Sequence, residues 1–137
     1  MTCPFCTKIQ NAIFYESKHS YAIYNLRPIV PGHVMIIPKK HRQHLLDLTD
    51  EESADFMQTV REVCKILKKH YNAEGLSLLI QDGEAAGQTV PHIHMHIAPL
   101  DGKMSTRKFV QNAPKSKDRH VLTDEEMKKE VDKLIKE

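Results

Sequence analysis

His92-Ile93-His94-Met95-His96-Ile97-Ala98 alternates imidazoles with apolar side chains over seven residues. Successive side chains of an extended chain point to opposite faces. The stretch therefore predicts a strand over 92–98 that packs Ile93, Met95 and Ile97 and presents His92, His94 and His96. At about 3.3 Å per residue, neighbouring histidines stand about 6.6 Å apart, which suits the two sides of one phosphate or one metal ion. A solvated strand face would account for a single histidine; three in register beside a glycine-bearing loop point to chemistry. That loop, Gln81-Asp82-Gly83-Glu84-Ala85-Ala86-Gly87-Gln88-Thr89-Val90, offers glycines for close backbone approach and two glutamine amides as neutral donors, which favours phosphate oxygens. Zinc hydrolysis at the histidines themselves is the competing reading, because His-x-His on a strand can place two imidazoles on one ion.

Upstream of the loop, Leu76 to Ile80 reads as a buried strand. Residues 12–16 and 21–26, separated by Ser17-Lys18-His19-Ser20, read as a hairpin, and Val34 to Ile37 reads as a third strand between Pro31-Gly32 and Pro38. Thr49-x-x-Glu52 is a capping box. Behind it Phe56, Val60, Val63, Cys64, Leu67 and Tyr71 recur at the helical period, with Gly75 as the expected stop. Cys64 falls on the apolar face and is expected to be a buried, unreactive thiol. Residues 101–122 lack periodicity and carry Lys103, Arg107, Lys108, Lys115, Lys117 and Arg119, the pattern of a mobile basic loop that recruits polyphosphate or is merely solvated. Thr123-x-x-Glu126 repeats the capping signature before a helix expected over 123–137. Strands run together with one long helix inserted, so the predicted class is α+β with a five-stranded, mainly antiparallel sheet.

With 137 residues, 40% of them hydrophobic, the chain suits a single domain over 1–137. A net charge of +2 is too small to suggest nucleic-acid or membrane-surface binding. No apolar run approaches the ~20 residues that span a bilayer, and no secretory leader is evident, so a cytoplasmic location is expected. Nine histidines against four tyrosines and four phenylalanines are the compositional anomaly. In a reducing compartment Cys3-x-x-Cys6 reads as metal-binding or redox-active, and no βαβ pattern surrounds it as a thioredoxin-like site needs.

The triad stretch resembles the signature of the histidine triad hydrolases, in which three histidines alternate with apolar residues. Asn25-x-x-Pro28-x-x-Pro31-Gly32-His33 and Gln81-Asp82-Gly83-x-x-Ala86-Gly87-Gln88-Thr89-Val90 are similar to the branch of that family containing the fragile histidine triad protein. The resemblance covers nearly all of residues 3–100. It implies a homodimer whose sheets join edge to edge, and a hydrolase of adenine dinucleoside polyphosphates working through a covalent nucleotidyl-histidine. His94 would be the nucleophile on the α-phosphorus. His92, His96 and His33 would surround the phosphate, Gln81 and Gln88 would donate to its oxygens with Thr89 beside them, and Asn25 would bind the ribose. Family transferases carry Gln at the third triad position, so His96 favours hydrolysis.

The N-terminal cysteine pair is shared with many microbial members and with the phosphoramidase branch. There a structural zinc is held by two cysteines, a histidine after Pro-Lys-x, and the first triad histidine. The counterparts are Cys3, Cys6, His41 and His92, with His44 as the alternative to His41. A zinc ligand cannot also hold phosphate, so His92 would then orient the strand beside His94. Because the chain combines both patterns, a nucleoside phosphoramidase is one alternative, and a nucleotide-binding signalling protein with incidental turnover is another.

Overall fold

The computed structural model describes residues 3–101 and 119–135. The basic stretch bearing Lys103, Arg107, Lys108, Lys115 and Lys117 lies outside the described residues. A short helix α1 (Pro4–Thr7) leads into a hairpin of β1 (Ile13–Glu16) and β2 (Ser20–Tyr24), followed by β3 (Val34–Pro38). The long helix α2 (Asp50–His70) comes next, then β4 (Gly75–Ile80), β5 (Met95–Leu100) and the final helix α3 (Asp124–Ile135). The five strands form one sheet in the order β1-β2-β3-β5-β4, every pair antiparallel.

Helix α2 starts where its capping box says it should: Glu52 N–H donates to Thr49 Oγ1 (3.1 Å) and Thr49 N–H to Glu52 Oε1 (2.9 Å). It packs on β2 and β3 through the buried residues Phe56, Val60, Val63 and Leu67. Thr123 and Glu126 cap α3 in the same way, and α3 covers β1 with Met127, Val131 and Leu134. β3 is buried at all five positions, as a central strand covered on both faces should be. In register across β3, β5 and β4, Met35, His96 and Leu79 lie side by side on one face of the sheet.

Four sequence expectations need correction. Helix α2 ends at His70, not before Gly75; Tyr71 turns extended at the C-cap (φ −122°, ψ 145°), and Gly75 opens β4. The Tyr71 ring leaves the helix line because it packs against the backbone of Gly32. The strand expected to be buried over 76–80 is a sheet edge in which only Ser77 is buried. The fifth strand begins at Met95, so His92 and His94 precede it, because β4 pairing stops at Ile80 opposite Met95 and the chain before it finds other partners. Cys64 is half-buried on α2, and burial pushes its thiol pKa up.

The turn between β2 and β3 depends on Gly32, whose φ is +89°. A Cβ there would lie 2.6 Å from Pro99 Cγ and 2.9 Å from Tyr71 Cε2. Gly32→Ala is expected to lower stability by about 2–3 kcal/mol, from left-handed strain plus overpacking, read as a lower urea midpoint with an unchanged slope.

Candidate active site

The chain before β5 is held from outside the sheet. Ile93 N–H donates to the Arg42 carbonyl (2.7 Å) and His92 N–H to the Val90 carbonyl (2.7 Å). Arg42 is itself fixed by two hydrogen bonds, from Nε and Nη2, to the buried carboxylate of Glu52, each 3.1 Å. The carboxylate that starts α2 therefore also anchors the segment carrying the first two triad histidines.

The proton positions follow from the partners. His94 Nδ1 lies 2.9 Å from the His92 carbonyl, which can only accept, so Nδ1 carries the proton and Nε2 keeps its lone pair. His33 Nδ1 accepts from Ile29 N–H (3.1 Å), which puts the His33 proton on Nε2. That proton is donated to His96 Nδ1 at 3.0 Å, so a neutral His96 is protonated at Nε2. The three rings are thus a bare nitrogen at His94, a donor at His96 and a buried orienter at His33. Burial lowers the pKa of all three, and the charge of neighbouring groups lowers His33 and His96 further; His96 is pushed down to about 3.

His94 and His96 stand edge to face, with centroids 4.9 Å apart, on a cavity of ≈ 370 Å³. Asn25, Gln81 and Thr89 also line it. Gln81 reaches the wall because Gly87 has no side chain: a Cβ there would lie 2.6 Å from Gln81 Nε2. Three expected site residues do not line it. His33 is fully buried and contacts His96; Asn25 Nδ2 lies 3.2 Å from its Nε2, a contact between two donors that is not a hydrogen bond in this tautomer. Gln88 braces the loop, with Nε2 donating to the carbonyls of Gln43 (2.9 Å) and Val90 (3.0 Å) and Oε1 accepting from Gly83 N–H (2.7 Å). His92 turns away from the cavity, its Nε2 donating to the Pro38 carbonyl at 2.9 Å. The three histidines do not share one face: His92 turns to the cysteines while His94 and His96 meet the cavity, and His92 and His94 are buried.

The structure adds residues that the sequence reading passed over. Phe5, between the two N-terminal cysteines, packs its ring edge to face on His94 at 5.0 Å and lines the cavity. Arg27 lines it as well, and so does Arg119, which the sequence reading assigned to the basic stretch and not to the site. Arg27 stands two residues after Asn25, within the stretch that carries the family resemblance.

The bare Nδ1 of His92 faces the cysteines. Cys3 Sγ and Cys6 Sγ each lie 3.5 Å from it, Cys6 Sγ lies 3.4 Å from His41 Nδ1, and all four donor atoms fall within 4.8 Å of one another. A tetrahedral ion with metal–sulfur bonds of 2.3 Å and metal–nitrogen bonds near 2.05 Å would set sulfur and nitrogen ligands roughly 3.5 Å apart. These residues could hold a metal ion, and the Pro38 carbonyl supplies the outer hydrogen bond that orients His92 for it. His44 is not in the cluster; its Nδ1 pairs with Asp82 Oδ1 at 2.8 Å.

Residues 7–103 match the HIT domain. The chain belongs to the HIT family. Within that family it is 46% identical over 92 residues to a bis(5'-adenosyl)-triphosphatase of Saccharomyces cerevisiae, an alignment covering 66% of this chain and 45% of the yeast protein. The chain spans less than two thirds of the length of the curated relatives it matches. Among solved HIT-like structures, the Plasmodium falciparum diadenosine triphosphate hydrolase superposes with a TM-score of 0.77 at 29% identity, covering 92% of this chain and 75% of that one. A zinc-bound histidine triad family protein of Mycobacterium smegmatis gives a TM-score of 0.69 at 29% identity, covering 98% and 96% of the two chains.

This HIT domain should show His94 protonated at Nδ1 and His33 and His96 at Nε2 in long-range ¹H–¹⁵N spectra near pH 7; the opposite tautomer at His94 would refute the assignment. Because His33 and His96 stay neutral in the folded state while their unfolded counterparts protonate near pH 6.5, the unfolded chain binds more protons below that pH. For His96 the loss of stability should run from about pH 6.5 toward pH 3 at roughly 1.4 kcal/mol per pH unit, with His33 adding to it in the same direction, measured as urea midpoints across that range.

Proposed function

We propose that this HIT-family chain hydrolyses adenine dinucleoside polyphosphates at the α-phosphorus, with His94 as nucleophile. The observation that carries the reading is the pair of opposite tautomers on one cavity: a lone pair on His94 Nε2 beside an N–H on His96 Nε2. The names of the yeast and Plasmodium relatives support the substrate class. In the first step the His94 Nε2 lone pair forms an N–P bond as the bridging P–O bond breaks, and the nucleoside di- or polyphosphate leaves with that electron pair. The nucleotidyl imidazole keeps its Nδ1 proton on the His92 carbonyl, which stabilises its positive charge. In the second step water attacks phosphorus, the P–N bond breaks with its electron pair returning to His94, and adenosine monophosphate and a proton are released. His96 donates to the phosphate in both steps, and His33 holds it in the tautomer that can do so. Gln81 donates to a phosphate oxygen, Asn25 and Thr89 meet the nucleoside, and Gln88 acts through the loop it braces.

Cys3, Cys6, His41 and His92 hold zinc in this reading. A four-ligand site is closed and supplies structure rather than a reactive water. Its effect on the reaction runs through Phe5, which the two cysteines fix against His94. The free thiols of Cys3 and Cys6 suit a reducing, cytoplasmic setting; among the described residues, no helix is long and apolar enough to cross a membrane. A homodimer is supported by β4, a sheet edge, with Leu46 (94% exposed), Met57 (51%) and Leu78 (44%) exposed near it. Residues 1–137 then act as one HIT unit per subunit.

His94→Ala should lower kcat by about a thousandfold or more while nucleotide affinity stays within a few-fold, and rapid quench of labelled diadenosine triphosphate should trap a nucleotidyl-protein in wild type only. Retention of near-normal kcat by the folded variant would overturn the mechanism. Tight nucleotide binding by wild type without turnover would favour the signalling alternative. Metal analysis should return about one zinc per chain, and its chelation should lower Tm. Leu46→Glu with Leu78→Glu should convert a dimer to monomer in sedimentation velocity.

A further inference from the structure

The cavity that holds His94 and His96 is also lined by two arginines, Arg27 and Arg119. They come from segments far apart in sequence, and a backbone hydrogen bond from Leu122 N–H to the Leu26 carbonyl (2.9 Å) fastens those segments side by side. Arg27 is tied a second time, since its N–H donates to Asn25 Oδ1 at 2.8 Å. Both side chains are part-buried. They are close enough to feel one another's charge, and Arg119 also acts electrostatically on His33 and His96. Two cationic residues on one cavity wall make that wall complementary to an anionic ligand. Guanidinium forks match phosphate oxygens in geometry, and neither arginine supplies the nucleophile or the His96 donor.

We propose that Arg27 and Arg119 bind the phosphates beyond the α-phosphorus, so that the site selects substrates with a polyphosphate leaving group over those with an amine leaving group. The inference rests on the hydrolase reading above. As the bridging P–O bond breaks, its electron pair moves onto the departing nucleoside diphosphate. Cations at that end therefore stabilise the transition state more than the ground state. In a nucleoside phosphoramidate the P–N bond breaks instead, the nitrogen takes the electron pair together with a proton from solvent water, and ammonia leaves without adding anionic charge for the arginines to meet. The Leu122–Leu26 hydrogen bond joins the start of the C-terminal segment to the loop after β2 and so holds Arg119 near the cavity.

The test compares kcat/KM for diadenosine triphosphate and for adenosine 5′-phosphoramidate in wild type, Arg27→Gln, Arg119→Gln, the double variant and Arg119→Lys. Each single glutamine variant should lower the ratio of the two values by about tenfold, the double variant should lower it further, and Arg119→Lys should recover part of the loss. The ratio is taken within one preparation, so a loss of folded protein cancels. A ratio within about twofold of wild type in the double variant would overturn the proposal, whether both activities fall together or neither changes. A wild-type protein that cleaves neither substrate would overturn the hydrolase reading and this inference with it; one that cleaves both, with the ratio unmoved by substitution, would overturn this inference alone.

Discussion

A neutral imidazole has one nitrogen that donates and one that accepts, and burial keeps the histidines of this site neutral. Everything chemical here depends on which nitrogen faces which way. The choice is made by the backbone: the His92 carbonyl takes the His94 proton, the Pro38 carbonyl takes the His92 proton, and Ile29 N–H occupies His33 Nδ1. From those three contacts follow a lone pair on His94 in the cavity, a lone pair on His92 toward the thiols, and an N–H on His96 toward the cavity.

The same geometry divides labour among residues of one type. His92 and His94 are two positions apart, yet one faces a cluster that could hold a metal and the other faces the cavity, with Phe5 packed against both rings. Gln81 and Gln88 part in a similar way. Gly87 lets Gln81 reach the cavity wall, while the amide of Gln88 is taken up by three backbone groups that hold the loop's shape. A donor whose hydrogen bonds are already made contributes rigidity to the loop rather than a free N–H to the cavity.

Remote elements are linked to this centre by short physical chains. The capping carboxylate of α2 holds Arg42, and Arg42 holds Ile93 between the first two triad histidines. The glycine turn at 32 packs under Tyr71 and Pro99 and leads directly to His33. The segment before α3 is hydrogen-bonded to the loop after β2, which brings Arg119 to the same wall as Arg27.

The sequence alone determined the α+β class, both capping boxes, the position of β3 and the residue types of the site, because helical period, strand alternation and capping are local properties of the chain. The family resemblance likewise identified Cys3, Cys6, His41 and His92 as one group before their donor atoms were seen together. Tertiary structure decided where period and contact part company. Helix α2 stops at Tyr71 because that ring is wanted against Gly32, and the triad leaves the sheet at Met95 because β4 runs out. His33 and Gln88 read identically as direct ligands or as supports until their hydrogen-bond partners are known, since side-chain chemistry does not specify which neighbour will satisfy it. Arg119 carried no spacing signal at all: the backbone bond of Leu122 to Leu26 places it in the cavity, and a contact between residues nearly a hundred positions apart is not written in any local pattern.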